Sequence, residues 1–249
     1  MKKAISIVAL AALAGLANAG TIKVEESAVG GGTFTLNSGN LSPTVFGAAS
    51  SPNFTNGALG FIHSELATDG VNTNDIVTII AGDTNDGLGL FALIDQQAGA
   101  FVGFNSRLDM NAIAVDTAGN GIKGWVNDNA GELIQTSGSN PIAGTFSFNT
   151  TFQWDNAATG DAMALSNLNN GDNGTFVFNT LPGFGTTGVA RGFQYVSFIN
   201  GNWTVVGAGS FNSSGASTSL DWQVIPLPGV GAMSLAGLAL VGARRRRAM

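Results

Sequence analysis

In the run 144–154, Phe146 and Phe148 alternate with Thr145 and Ser147, a period of two that predicts a strand with one buried face. The alternation shifts at Thr150 and Thr151, where a bulge or bend is expected. Short runs of the same kind recur along the chain between clusters of Gly, Asn and Asp. Residues 33–36, 59–63, 88–94, 100–104, 175–178 and 220–224 each predict a strand. Ile76, Val77, Thr78, Ile79 and Ile80 are all β-branched, and their nearly continuous apolarity predicts a central strand covered on both faces. Residues 161–168 fit either a strand or one helical turn. Two hairpins are expected. One joins 111–115 to 122–126 around Gly119-Asn120-Gly121; the stronger signal joins 192–199 to 203–206 around Asn200-Gly201-Asn202.

About a dozen short strands at this spacing predict an all-β body, a jelly-roll-like β-sandwich spanning 20–224 as one domain. No repeat of fixed period is present, which disfavours a solenoid or propeller. A closed outer-membrane barrel would share the alternation but needs aromatic girdles, and the chain has one Tyr and four Trp. Composition agrees with β structure: 36 of the 249 residues are Gly, while Lys and Glu, the usual residues of solvated helix faces, are scarce.

The two ends read differently from the body. Met1-Lys2-Lys3 is a positive start, 4–16 an apolar run, and Ala17-Asn18-Ala19 a small-x-small site, so 1–19 predicts a secretory signal peptide cut between Ala19 and Gly20. At the other end, 225–249 contains Pro226-Leu227-Pro228, the uncharged apolar run 230–243, and then Arg244, Arg245, Arg246 and Arg247. The prolines hold the chain extended and keep a helix from running in from the body. Residues 227–243 would make an apolar helix of roughly 26 Å, the short end of a membrane span. The arginines would hold its end on the cytoplasmic side.

This order of proline motif, apolar helix and arginine cluster resembles the PEP-CTERM family of bacterial sorting signals, in a proline-leucine-proline form. The resemblance covers 225–249 alone and carries no expectation for the fold of the body. It implies recognition by a membrane-embedded exosortase, a cysteine transpeptidase-like enzyme that would cut near Pro226 and Pro228. The body would then be anchored only transiently before reaching the cell surface or extracellular matrix. Signal peptidase and the exosortase-like protease are the implied processing partners.

Charge and chemistry narrow the picture further. All sixteen carboxylates lie in the body against four cations, Lys23, Lys123, Arg107 and Arg191, which leaves it at −12 while the whole chain is −6. Such a surface repels phosphate backbones, so nucleic acid is not an expected partner. There is no Cys and one His, His63, which excludes thiolate chemistry and a His/Cys zinc site. No nucleophile-elbow pattern accompanies His63, which reads as a hydrogen-bonded or surface histidine. Asp83, Asn85, Asp86 and Asp172 place oxygen ligands in turn-like runs and are calcium candidates, although Asn, Asp and Gly are also the ordinary turn residues. No other cofactor is expected.

Trp125 and Trp154 stand beside turn-like segments and are candidate glycan contacts, against core packing for each. The expected function is that of an exported, non-enzymatic surface or matrix protein with a structural or adhesive role. Alternatives are a carbohydrate-binding surface module, with extracellular polysaccharide as partner, and a secreted hydrolase using paired carboxylates.

Overall fold

The computed structural model describes residues 20–27, 31–41, 56–74, 76–94, 106–117, 119, 121–127, 133–137, 144–154, 161–180, 192–210 and 217–226. The expected signal peptide 1–19, the expected strand 100–104, and the tail 227–249 with Pro228, the expected apolar helix and the four arginines lie outside the described residues.

Two sheets account for nearly all of the described chain. The first contains β1 (Thr21–Glu26), β2 (Thr33–Asn37), β6 (Ser106–Asp116), β8 (Leu133–Ser137), β9 (Gly144–Trp154), β11 (Asn173–Thr180) and β14 (Thr218–Ile225), in the order β2-β1-β14-β11-β6-β9-β8. All its pairings are antiparallel. The second contains β3 (Gly39–Asn40), β4 (Val77–Thr84), β5 (Gly87–Ile94), β7 (Lys123–Asn127), β10 (Asp161–Leu168), β12 (Gly192–Ile199) and β13 (Asn202–Ser210), in the order β13-β12-β4-β5-β10-β7, with β3 also beside β4. Here β4 meets β12 and β3 in parallel, and the other pairs are antiparallel.

The central position of β4 follows from its apolarity. Val77, Ile79 and Ala81 join one buried cluster, while Ile80 joins another. β5 divides the same way, with Leu88, Leu90, Ala92 and Ile94 on one side and Phe91 and Leu93 on the other. The first cluster also takes Ile22, Val24, Met110, Phe176, Phe178, Leu220, Trp222 and Val224, so both sheets share it. The second cluster is closed by a helix, α1 (Asn56–Thr68), through Leu59, Ile62 and Leu66. No helix among the described residues is long and apolar enough to cross a membrane.

Helix α1 replaces the strand expected at 59–63. Leu59, Ile62, His63 and Leu66 are buried at helical spacing, and one face of α1 is thereby pressed against the second sheet. Its end is a Schellman motif: Val71 N–H donates to the Leu66 carbonyl at 2.9 Å and Gly70 N–H to that of Ala67 at 3.0 Å. Gly70 takes φ +80°, a conformation that glycine adopts without a Cβ penalty.

The hairpin expected between 111–115 and 122–126 is also corrected. β6 pairs with β9 and β11, whereas β7 pairs with β10 in the other sheet, so the intervening segment crosses between sheets. Asp116 shapes that crossing by accepting from Gly119 N–H and Gly121 N–H, both at 2.6 Å. The other hairpin forms as expected. Ile199 faces Asn202 across Asn200-Gly201, whose φ values of 53° and 87° suit a type I′ turn. The irregularity expected at Thr150-Thr151 is displaced to the partner strand: β9 runs unbroken against β6, and the register of β8 shifts between Leu133 and Gln135. Residues 161–168 resolve as a strand.

Candidate functional site

Alternation on the first sheet separates a buried face from an outer one. In β1, Ile22 and Val24 point inward, leaving Lys23 and Glu25 outside; in β14, Leu220, Trp222 and Val224 are buried and Asp221 and Gln223 exposed. In β6, Ala112 and Ala114 are buried while Ile113 and Val115 are 46% and 38% exposed. Cross-strand register draws the outer residues into rows. One row runs Thr33, Glu25, Asp221, Thr175, Ile113 and Ser147 across β2, β1, β14, β11, β6 and β9. The next runs Thr35, Lys23, Gln223, Asn173 and Val115. At a strand spacing of about 4.8 Å, the first row is roughly 24 Å wide.

Between these rows lies an open groove of about 500 Å³ lined by Lys23, Glu25, Ile113, Val115, Asn173, Thr175, Asp221 and Gln223, with Gly174 and Trp222 in its floor. Glu25 faces Asp221 directly across β1 and β14, so two carboxylates converge there. Each is engaged. Lys23 Nζ lies 3.0 Å from Glu25 Oε2, while Asp221 accepts from Thr175 Oγ1 at 2.6 Å and from Ser27 Oγ at 3.2 Å. The exposed ion pair contributes little stability by itself. Carboxylates, amides and an ammonium beside an aliphatic strip can hydrogen-bond a hydroxylated polymer and pack on its less polar faces.

The sequence-derived candidates fall elsewhere. Trp125 takes the core position weighed against a glycan contact: it is 1% exposed in the cluster under α1, and its indole N–H donates to Ser166 Oγ at 2.7 Å. Its candidacy as a glycan contact is thereby corrected, because α1 and the second sheet cover it. Trp154 ends β9 opposite Ser106, and its side chain lies outside the described residues.

His63 is buried on α1, with Nδ1 3.1 Å from Thr73 Oγ1 and Nε2 without a hydrogen-bond partner. Burial lowers its pKa from 6.5 to about 4, which keeps the ring neutral near pH 7.

Of the four calcium candidates, Asp172 lies in the β10–β11 turn, Asn85 and Asp86 in the β4–β5 turn and Asp83 at the end of β4, and the three carboxylates accept protein donors. Asp172 is fully buried in the β10–β11 turn, where Oδ1 accepts from Thr117 N–H at 2.8 Å and Thr117 Oγ1 at 2.9 Å and Oδ2 from Asn169 N–H at 2.7 Å. Asp86, in the β4–β5 turn, pairs with Lys123 at 2.6 Å and accepts from Ser166 Oγ at 2.5 Å. Asp83 Oδ2 accepts from Ser38 Oγ at 3.0 Å, and burial raises its pKa. Asn85 stands between Asp83 and Asp86 in sequence. Among the described residues no three His, Asp or Glu side chains gather to hold one metal ion.

Of the processing residues, Gly20 precedes β1 and Pro226 directly follows β14, while Ala19, Pro228 and the four arginines lie outside the described residues. The outer rows went unrecognised in the sequence, although Ile113 and Val115 in a strand whose alternate positions are Ala112 and Ala114 were a usable signal: the larger apolar side chains stand where the small ones do not. Compared with known proteins, the chain matches no family model, no curated protein and no solved structure.

Proposed function

We propose that this chain is an exported surface or matrix protein, a jelly-roll-like β-sandwich body delivered by a leader and a C-terminal sorting tail, with a structural or adhesive rather than enzymatic role. The observation that carries this reading is the pairing of the first and last strands. Thr21 lies opposite Ile225, so the expected cut before Gly20 and the proline motif from Pro226 leave the body side by side, at the same end of two neighbouring strands of the first sheet. A body whose terminal strands close on each other needs neither the leader nor the tail for its own sheet. The shared core supports a sandwich, because residues from both sheets bury one another's inner faces.

The test is intact mass and fractionation of the natively expressed protein, beside Pro226→Ala/Pro228→Ala and a deletion of Arg244 to Arg247. The expected wild-type product starts at Gly20, ends near Pro226 and leaves the membrane fraction, while both variants stay membrane-bound with their tails. A wild-type protein that retains Met249 and remains in the membrane would instead be a plain anchored ectodomain.

A second reading, a carbohydrate-binding module, is favoured by the groove over β1, β14, β11 and β6 rather than by either Trp. Polysaccharide pull-down with the intact protein should lose at least tenfold in retention for Gln223→Ala combined with Ile113→Ser, at unchanged thermal stability. Equal retention removes the groove from consideration. Cleavage of the polysaccharide that disappears in Glu25→Gln would favour the hydrolase alternative.

A further inference from the structure

The backbone around Gly20 is more tightly held than the start of an exposed chain requires. Gly20 N–H donates to Ser38 Oγ at 2.9 Å, Ser38 N–H returns a bond to the Gly20 carbonyl at 2.9 Å, and Ser38 Oγ donates onward to Asp83 Oδ2 at 3.0 Å. Ser38 itself is 6% exposed. A Cβ on residue 20 would lie 2.4 Å from Leu88 Cδ2 and 3.0 Å from Leu88 Cγ, so the Leu88 side chain would have to shift to admit one. Leu88 belongs to the core shared by both sheets. The Asp83 end is anchored as well, because Leu41 N–H donates to the Asp83 carbonyl at 3.0 Å and β3 lies alongside β4 at this position.

The chemistry of this relay changes when the leader is removed. In the uncut chain the nitrogen of Gly20 is a neutral amide with a single N–H. Hydrolysis of the Ala19–Gly20 bond places the hydroxyl of water on the Ala19 carbonyl carbon and its proton on the Gly20 nitrogen, and a further proton from solvent leaves an ammonium with three donors. Neither lysine of the body serves Asp83: Lys23 pairs with Glu25, and Lys123 with Asp86 at the far end of the β4–β5 turn.

We propose that the new α-ammonium of Gly20 is the cation this carboxylate takes, seated through Ser38 against Asp83, so that processing tightens a seat whose hydrogen bonds the uncut chain already makes. The inference rests on reading 1–19 as a cleaved leader, and it gives that cut a structural consequence. An ammonium in this seat lessens the cost of burying the Asp83 carboxylate, whose pKa burial otherwise raises.

The experiment uses the full-length gene in an exporting host, with N-terminal sequencing of the purified product and measurement of how fast its terminal amine acylates as a function of pH. A free α-amino group titrates near 7.7–8.0. Seating should raise that value by about one unit, which slows acylation roughly tenfold at pH 7, and Asp83→Asn should restore the ordinary rate. Insertion of a glutamine between Ala19 and Gly20 should lower the thermal midpoint in the wild type and have no further effect in Asp83→Asn. A product starting at Gly20 whose amine reacts at the ordinary rate overturns the seating and leaves the leader reading intact. A product starting elsewhere overturns both, and sequencing distinguishes the two results.

Discussion

Asp172→Ala should lose about 3–5 kcal/mol of stability, measured by urea unfolding at neutral pH. The carboxylate is fully buried and accepts three bonds, two from Thr117 and one from Asn169 N–H. Removing it deletes three bonds to a charged acceptor, which contribute about 1.5–3 kcal/mol each, with water replacing part of the loss at the exposed Thr117. A domain typically has only about 5–15 kcal/mol in total, so the change would dominate its stability. Thr117 follows β6 in one sheet, while Asn169 follows β10 in the other, so the same side chain ties the crossing from the first sheet to the entry into β11. Asp172→Asn retains one acceptor oxygen and should lose less. If Asp172→Ala unfolds within 1 kcal/mol of wild type, the carboxylate does not hold this turn. If Asp172 is instead a calcium ligand, a chelator will destabilise the wild type and leave the variant unmoved.

Acid should destabilise the protein through His63 by up to ~3 kcal/mol. The folded pKa is lowered from 6.5 to about 4 by burial, so the unfolded chain takes up the proton first as the pH falls. Stability from the neutral ring is therefore complete above about pH 6.5 and is lost progressively toward pH 4, where the folded form also protonates. The magnitude follows from the lowering at about 1.4 kcal/mol per pH unit. Carboxylates titrate over part of the same window, so the informative quantity is the difference between wild type and His63→Gln or His63→Phe. Both variants should show a shallower decline in denaturation free energy between pH 6.5 and 4. An identical pH slope in all three would mean that His63 is not held neutral in the fold.

The two residues also show how far local sequence carries. Asp172 was recognisable as a turn residue within Asn169-Asn170-Gly171-Asp172-Asn173-Gly174, but Thr117, which supplies two of its donors, is 55 residues away in sequence. In the sequence His63 reads as a structural rather than a catalytic residue, since nothing beside it fits a triad. Its strand assignment failed because Gly57 and Gly60 interrupt an apolar run too short to distinguish a strand from a buried helix. The period of Leu59, Ile62, His63 and Leu66 becomes decisive only when the second sheet is there to bury that face.

The candidate binding face was less legible than the core. Its strands were mostly foreseen, but no local pattern states that β14 lies between β1 and β11 or that Glu25 meets Asp221. Trp125 shows the same dependence. Its neighbours in sequence leave exposure and core packing both open, and burial is decided by α1 and by Ser166 receiving the indole N–H.

By itself, then, the sequence determined the β-rich class, the apolar central strands and the Asn200-Gly201 hairpin, because each rests on periodicity or on backbone preferences acting over a few residues. The proposed leader and tail likewise rest on linear patterns, readable without the fold. Tertiary structure decided which strands share a sheet, the crossing between β6 and β7, the helix over 56–68, and the closure of β1 on β14. Those outcomes depend on contacts between residues tens to hundreds of positions apart, where burial and hydrogen-bond satisfaction override local preference.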